Sequence, residues 1–347
     1  MTVRAFLLEM DPARFHPALS VQTSWNGGFG VVRGLRVRGR LVEDHVLQAG
    51  RRVAGAARMR RGVWNIARHR ETWMRAHPGG RIAAWVGNGN LLANPHFVGF
   101  ADGDLYALAG EPLEERAYTC LVVRQRETTI EVLRRPDFSS GIDCATFGQQ
   151  VVLCGRAIGH EELVGKAAGG EFSDLRHLFL FPRLNLGPDR WIDAGLAAFY
   201  DEAGRQRPDV IELALRGGMV EADVSQFPES AVLNALEIKG YRDFELSSGV
   251  LRFVPRPGVY PHNMIGIRGD GTLISVAIDG LSNRVGVSVE GAGEIMVQLG
   301  ARDALILDNG GDVAMGRGGE VILGGRERLR SVLFFCGGPG VPRLTRL

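Results

Sequence analysis

Short apolar runs broken by glycine fill the first half of the chain and predict strands joined by tight turns. Residues 1–50 read as strands around Trp25-Asn26-Gly27-Gly28-Phe29-Gly30, where Asn-Gly-Gly takes positive φ freely and lets the backbone turn sharply or approach a partner closely. Trp64, Ala67, Glu71 and Met74 fall at helical spacing and predict a short helix near 63–76. From 81 to 155 the runs IAAWVGNGN, FVGFADGDLYAL, YTCLVV and FGQQVVLCG predict a mainly β region, with Asp102-Gly103 as a hairpin turn.

The period changes between 156 and 258. Ile192, Leu196, Phe199 and Tyr200 predict a helix over Asp189–Ala203 with Asp189 as its cap, and Val210–Leu215 reads as a buried strand. Pro228 and Gly240 bracket a second helix, and Phe244–Val254 reads as a strand pair turning at Ser248-Gly249. Farther on, Met264–Arg268 and Thr272–Ile278 flank the turn Gly269-Asp270-Gly271. Val289, Ala292, Met296 and Leu299 make a helical stripe stopped by Gly300, and strands follow at Asp303–Leu307 and Ser331–Cys336. The fold class is therefore α+β, a strand-rich core of mixed sheet with packed helices plus an αβ insertion. Residues 1–155 form the first part of the core, 156–258 the insertion or subdomain, and 259–347 the second part, carrying the main site motifs.

Composition narrows the class. Apolar residues at 45% and charged residues at 23% place the 347-residue chain among globular proteins and exclude a disordered chain or a coiled coil. There is no apolar run of about 18 residues to span a bilayer as a helix. A net charge of +2 excludes nucleic-acid binding driven by bulk charge. Nine arginines lie between 51 and 81 against the single acid Glu71, but aromatic residues are not interleaved as a base-stacking surface requires, so the stretch reads as a solvated face. Cys120, Cys144, Cys154 and Cys336 have no metal-ligand spacing and read as free thiols. The N-terminal apolar stretch is too short for a signal peptide, which makes a cytoplasmic protein the expectation; a trimmed secreted chain would read the same.

Candidate chemistry gathers near the C-terminus. Asp279 and Asp308 each end an apolar strand and precede a glycine turn, a position suited to acid/base work or cation binding. His262 precedes the core strand, close to Asn263, and can hold an anion or move a proton. Metalloprotease spacing, a serine nucleophile elbow and a phosphate-binding P-loop are all missing, so no metal and no cofactor are expected.

The blocks His262-Asn263-Met264-Ile265-Gly266-Ile267, Asp270-Gly271-Thr272 through Asp279-Gly280, Gly286-Val287-Ser288-Val289, and Leu299 through Asp308 resemble the phosphodiester glycosidase family. Trp25–Phe29 and Phe147–Leu153 are similar to two further family segments. The resemblance implies hydrolysis of a sugar-1-phosphodiester, such as an N-acetylglucosamine type, to free sugar and phosphomonoester. It implies Asp308, then Asp279, as the carboxylates and His262 as phosphate contact or acid. Asn26, Gly27, Gly28, Asn309, Gly310, Gly311 and Asp312 would bind substrate, because glycine lets backbone amides converge on phosphate oxygens. The chain departs from the family pattern at His262, where arginine is usual, at Gly291, where glutamate is common, and at Asp312 in the glycine turn. These departures leave open a related enzyme acting on a neutral glycoside or biosynthetic intermediate, or a non-catalytic sugar-binding relative. The expected partner is a small molecule or glycan, with no nucleic acid and no membrane; a homo-oligomer is left open.

Overall fold

The computed structural model describes residues 3–22, 35–37, 40–42, 64–88, 98–107, 116–139, 141–187, 190–201, 206–225, 227–280, 285–310, 313–324, 329 and 331–347. A seven-stranded sheet organises it, in the order Arg156–Ala157, Gln149–Leu153, Ala301–Asn309, His262–Arg268, Leu273–Ile278, Ala5–Met10, Arg343–Arg346. Alternation along these strands serves two cores, because successive side chains leave opposite faces. Met264, Ile274, Val276 and Ile306 join one core with the helical elements of 160–238, and Ile265, Leu273, Ala277 and Leu305 join another with a five-stranded sheet. That second sheet runs Phe15–Val21, Ser331–Gly337, Ile82–Gly87, Ala314–Arg317, Glu320–Gly324. A further five-stranded sheet includes the hairpin of Val98–Ala101 and Asp104–Ala107, whose turn residues Asp102 and Gly103 both take positive φ, as the Asp-Gly pair predicts.

The α+β class, the hairpin at 269–271 and the helix Val289–Gln298 with its stop at Gly300 follow the sequence pattern. The described strand ladders are antiparallel where a mixed sheet was expected: Ala301–Asn309 re-enters beside His262–Arg268 in the opposite sense after its helix. Three local readings are corrected. Val210–Leu215 belongs to a helix, Pro208–Leu215, because Pro208 starts its first turn and Val210, Ile211 and Ala214 bury one face; six apolar residues fit either period. The expected helix over 189–203 is a strand, Arg190–Asp193, followed by one 3-10 turn, Leu196–Phe199, because Gly195 sits at φ +89° and breaks any continuous helix between them. The helix predicted near 63–76 is Ile66–Ala76, but it buries His69 and Trp73 while Met74 is exposed.

The helix Val289–Gln298 lies on the main sheet through a glycine. A Cβ at Gly293 would stand 2.6 Å from the Val151 carbonyl oxygen and 3.2 Å from Ala157 Cβ. Backbone cannot retreat as a flexible side chain can, so Gly293→Ala is expected to lower stability by about 1–3 kcal/mol. Equilibrium denaturation of the variant measures it, and an unchanged midpoint would mean the helix is not seated this closely. Among the described residues, no helix is long and apolar enough to cross a membrane. All four cysteines are free, and only Cys154 is exposed.

Candidate functional site

The strand His262–Arg268 opens with two polar residues in an otherwise apolar run, and the sheet sends them to opposite faces. His262 stands beside Ile278 and Asn309 in register, whereas Asn263 stands beside Ala277 and Asp308. Asp308 lies near the end of the strand Ala301–Asn309 and is 7% exposed, with Oδ1 accepting the Asn309 N–H at 2.8 Å. A register shift between Asn263 and Met264 inserts one residue into the partner strand here, a bulge of the kind that re-aims side chains at a sheet rim. Gly310 follows at φ +77°, its N–H donating to the Pro261 carbonyl at 3.0 Å.

Asp279 sits at the same end of the sheet, on the other side of the His262 strand. It is a different kind of carboxylate: its side chain is one-third exposed, and Oδ2 accepts from Arg4 Nε at 2.8 Å and from Arg4 Nη2. Oδ1 accepts the Gly280 N–H at 2.8 Å. The structure thus brings Asp308, Asp279, His262, Asn309 and Gly310 to one rim, but ties Asp279 to an arginine and turns His262 away from Asn263. Asn26, Gly27, Gly28, Gly311 and Asp312 lie outside the described residues.

On the helical face, His262 is wholly buried, and its Nε2 lies 3.0 Å from the Val287 carbonyl. A carbonyl only accepts, so Nε2 carries the hydrogen. Burial, and then the neighbouring His177, push the imidazole down to about 3, against smaller opposing effects of the Val287 and Asp308 carbonyls. The ring is therefore neutral at physiological pH. His177 lies nearly parallel to it, with ring centroids 6.1 Å apart, and sits 3.3 Å from Asp174 Oδ2. Burial alone would raise the Asp174 carboxyl, but the charges and hydrogen bonds of Arg176 and His177 hold it well below the usual carboxylate range.

On the opposite face, Asn263 Nδ2 donates to the carbonyls of Gly87 at 3.0 Å and Ala314 at 3.2 Å, tying the strand to the second sheet. Nearby, Asn88 Nδ2 donates to Thr146 Oγ1 and Ser331 Oγ, both at 2.9 Å. Asn263, Asp174, Arg176, His177 and Asn88 belong to no catalytic motif in the sequence. Their signal was present as polar residues inside apolar text, as in Ser-Asp-Leu-Arg-His-Leu-Phe-Leu, since a polar side chain placed in a core needs a specific partner. Among the described residues, no group of three or more His, Cys, Asp or Glu could hold a metal ion.

Residues 207–332 match the family model described as phosphodiester glycosidase. The chain resembles that family. The matched stretch contains His262, Asn263, Asp279, Asp308 and Gly310, and it begins inside the region read as an insertion. No curated protein matches the chain. Among solved structures, the catalytic domain of zebrafish N-acetylglucosamine-1-phosphodiester alpha-N-acetylglucosaminidase, auto-inhibited by its pro-peptide, is similar at 11% identity and a TM-score of 0.40. That likeness covers 73% of this chain and 62% of the zebrafish one. A Synechocystis protein matches at 11% identity over 96% of this chain and 59% of its own, with a TM-score of 0.36. A putative exported protein of Burkholderia pseudomallei matches at 16% identity over 95% and 73%, with a TM-score of 0.33. The chain thus spans less than two-thirds of the first two structures.

One departure from the phosphodiester glycosidase pattern has a local consequence. Gly291 is the third residue of the helix Val289–Gln298, and its N–H donates to the side chain of the cap, Ser288, at 3.2 Å. Glutamate at this position completes a capping box, and a Cβ there meets nothing closer than 3.6 Å. Gly291→Glu is expected to stabilise the protein by about 1 kcal/mol, from helix propensity and the cap together. A thermal melt reads it as a rise of roughly 2–4 °C at most in a chain of this size; a fall would mean that the helix start is crowded.

Proposed function

We propose that the protein is a glycosidase that breaks a bond at an anomeric carbon, with Asp308 supplying the carboxyl group for the acid/base step. The observation that carries this reading is the placement of Asp308: buried at the rim of the central sheet, within the family-matched stretch, beside a glycine turn. Breaking a glycosidic bond builds oxocarbenium-like charge on the sugar, and a carboxyl group can move the proton or stabilise the charge that this requires. Asp279 supports the rim from its pairing with Arg4. Asn309 and Gly310 lie where a substrate would meet the turn, and the candidates of 26–28 and 311–312 are proposed on sequence alone.

The family match favours a sugar-1-phosphodiester, for which the leaving phosphomonoester has a second pKa of about 6. A second reading, a neutral glycoside, is favoured by His262. Where an arginine would offer a permanent positive charge to phosphate, this chain holds a buried neutral imidazole. Product release from N-acetylglucosamine-1-phosphodiester and from neutral aryl glycosides, measured side by side with the purified protein, separates the two. Release of phosphomonoester favours the first, release of the aryl alcohol favours the second, and silence on both from folded protein rejects the glycosidase reading for these substrate classes.

A further inference from the structure

Asn263 is an unusual occupant of its strand. It is wholly buried, its neighbours Met264 and Ile265 are core residues, and among the described residues its side chain is tied to the second sheet. Because Nδ2 donates to two carbonyls, which cannot donate in return, the orientation of its amide is fixed. The opposite atom is therefore the oxygen. Asn263 Oδ1 is buried and has no hydrogen-bond partner among the described residues. A buried acceptor in this state calls for a donor.

The sheet register supplies a neighbour. Asn263 and Asp308 are direct cross-strand partners, so their side chains leave the same side of the sheet, with Cβ atoms about 4.5–5.5 Å apart in such pairs. As a carboxylate, Asp308 would meet Asn263 Oδ1 as acceptor against acceptor. As a carboxylic acid, it can donate to that oxygen. Burial works in the same direction, because loss of water penalises the charged form.

We propose that Asn263 is a positioning residue that holds Asp308 protonated, the Asp308 O–H donating to Asn263 Oδ1. One Asp308 oxygen accepts the Asn309 N–H and the other carries the proton. The catalytic meaning rests on the glycosidase reading. In that reaction the Asp308 proton passes to the leaving oxygen as the bond from that oxygen to the anomeric carbon breaks and the electron pair stays on the oxygen. Water then bonds to the anomeric carbon, and one of its protons restores the Asp308 acid. A neutral acid also avoids the like-charge repulsion that a carboxylate would impose on an anionic substrate. Asn263, tied to the Gly87 and Ala314 carbonyls, shares the Asp308 face; His262, with the Asp174–Arg176–His177 group behind it, lies on the opposite face, and Asp279 is paired with Arg4 beyond the His262 strand.

The test needs no turnover. Asparagine at 308 imitates the protonated acid, because its amide can donate to Asn263 Oδ1. An acid with a raised folded-state titration point contributes stability fully below the unfolded value, about 3.9, and loses it as pH rises through the folded value. Denaturation of wild type and Asp308→Asn from pH 4 to pH 8 should therefore show the variant gaining on wild type as pH rises. The infrared carbonyl band of a protonated carboxyl should be present in wild type at pH 7 and missing from Asp308→Asn. In Asn263→Ser, which loses the reach of the acceptor, the pH-dependent gain from Asp308→Asn should shrink; if that variant fails to fold, the first two measurements decide. A gain that is flat or reversed with pH, or no such band, overturns the proposal. Failure of the glycosidase reading would appear instead in the substrate assays, with these signals intact.

Discussion

Asp308→Asn is expected to lose glycoside turnover by about 10²–10⁴-fold, the usual contribution of a positioned acid or base, while the protein stays folded. Two features make the loss specific to chemistry. The carboxyl is buried, so solvent cannot easily take over the proposed proton transfer, and asparagine keeps nearly the same volume and a hydrogen-bonding amide. The comparison to make is kcat for wild type and variant on whichever substrate class responds, with far-ultraviolet circular dichroism on both. Asp279→Asn serves as the contrast. Its carboxylate is partly exposed and engaged by Arg4, so its replacement should cost much less than that of Asp308. Equal losses at both positions would remove Asp308 from its assigned role.

Acid should unfold this protein early, before its carboxylates are titrated. His69 and His262 are buried neutral, at about 4 and about 3 against 6.5 for a free imidazole. For His69 the cause is burial, only partly opposed by the Leu329 carbonyl, which lies 2.6 Å from Nε2. Both folded values are depressed, so below 6.5 the unfolded chain binds more protons than the folded one, and stability falls as pH falls through that value. At about 1.4 kcal/mol per unit, the full effect is on the order of 3 kcal/mol for His69 and 5 kcal/mol for His262, a large share of a typical total of about 5–15 kcal/mol. Asp174, held below the usual carboxylate range, adds its own loss only at still lower pH. Urea midpoints at pH 7 and pH 4.5 should differ strongly, and His69→Gln, which keeps an amide donor and acceptor but does not titrate, should flatten the dependence. Midpoints that coincide at the two pH values would show that these imidazoles charge without opening the fold.

The elements most legible in the sequence were those in which the hydrophobic period and the turn chemistry agreed. The hairpins at Asp102-Gly103, Ser248-Gly249 and Gly269–Gly271 and the helix ending at Gly300 each carried both signals, and all are found. Val210–Leu215 carried only an apolar run, which a helix face and a buried strand bury equally well. Ile192, Leu196 and Phe199 had helical spacing, but Gly195 between them takes a backbone angle that no helix tolerates. At the candidate site, Asp279, Asp308 and His262 were legible because they stand at strand ends. What their positions could not convey was state: one acid is bound to Arg4, the other is buried, and the histidine faces away from Asn263. Those distinctions arise from partners up to 275 residues away in sequence, as between Arg4 and Asp279.

The adjacent pair His262 and Asn263 divides the rim into two independent addresses. Because a strand alternates its faces, a change at 262 is felt by Val287, His177 and the helical layer, and a change at 263 by Gly87, Ala314 and the second sheet. The helical layer can therefore be rebuilt against one face while Asn263 and Asp308 keep their places on the other. One step along the backbone thus separates two faces that substitutions reach independently.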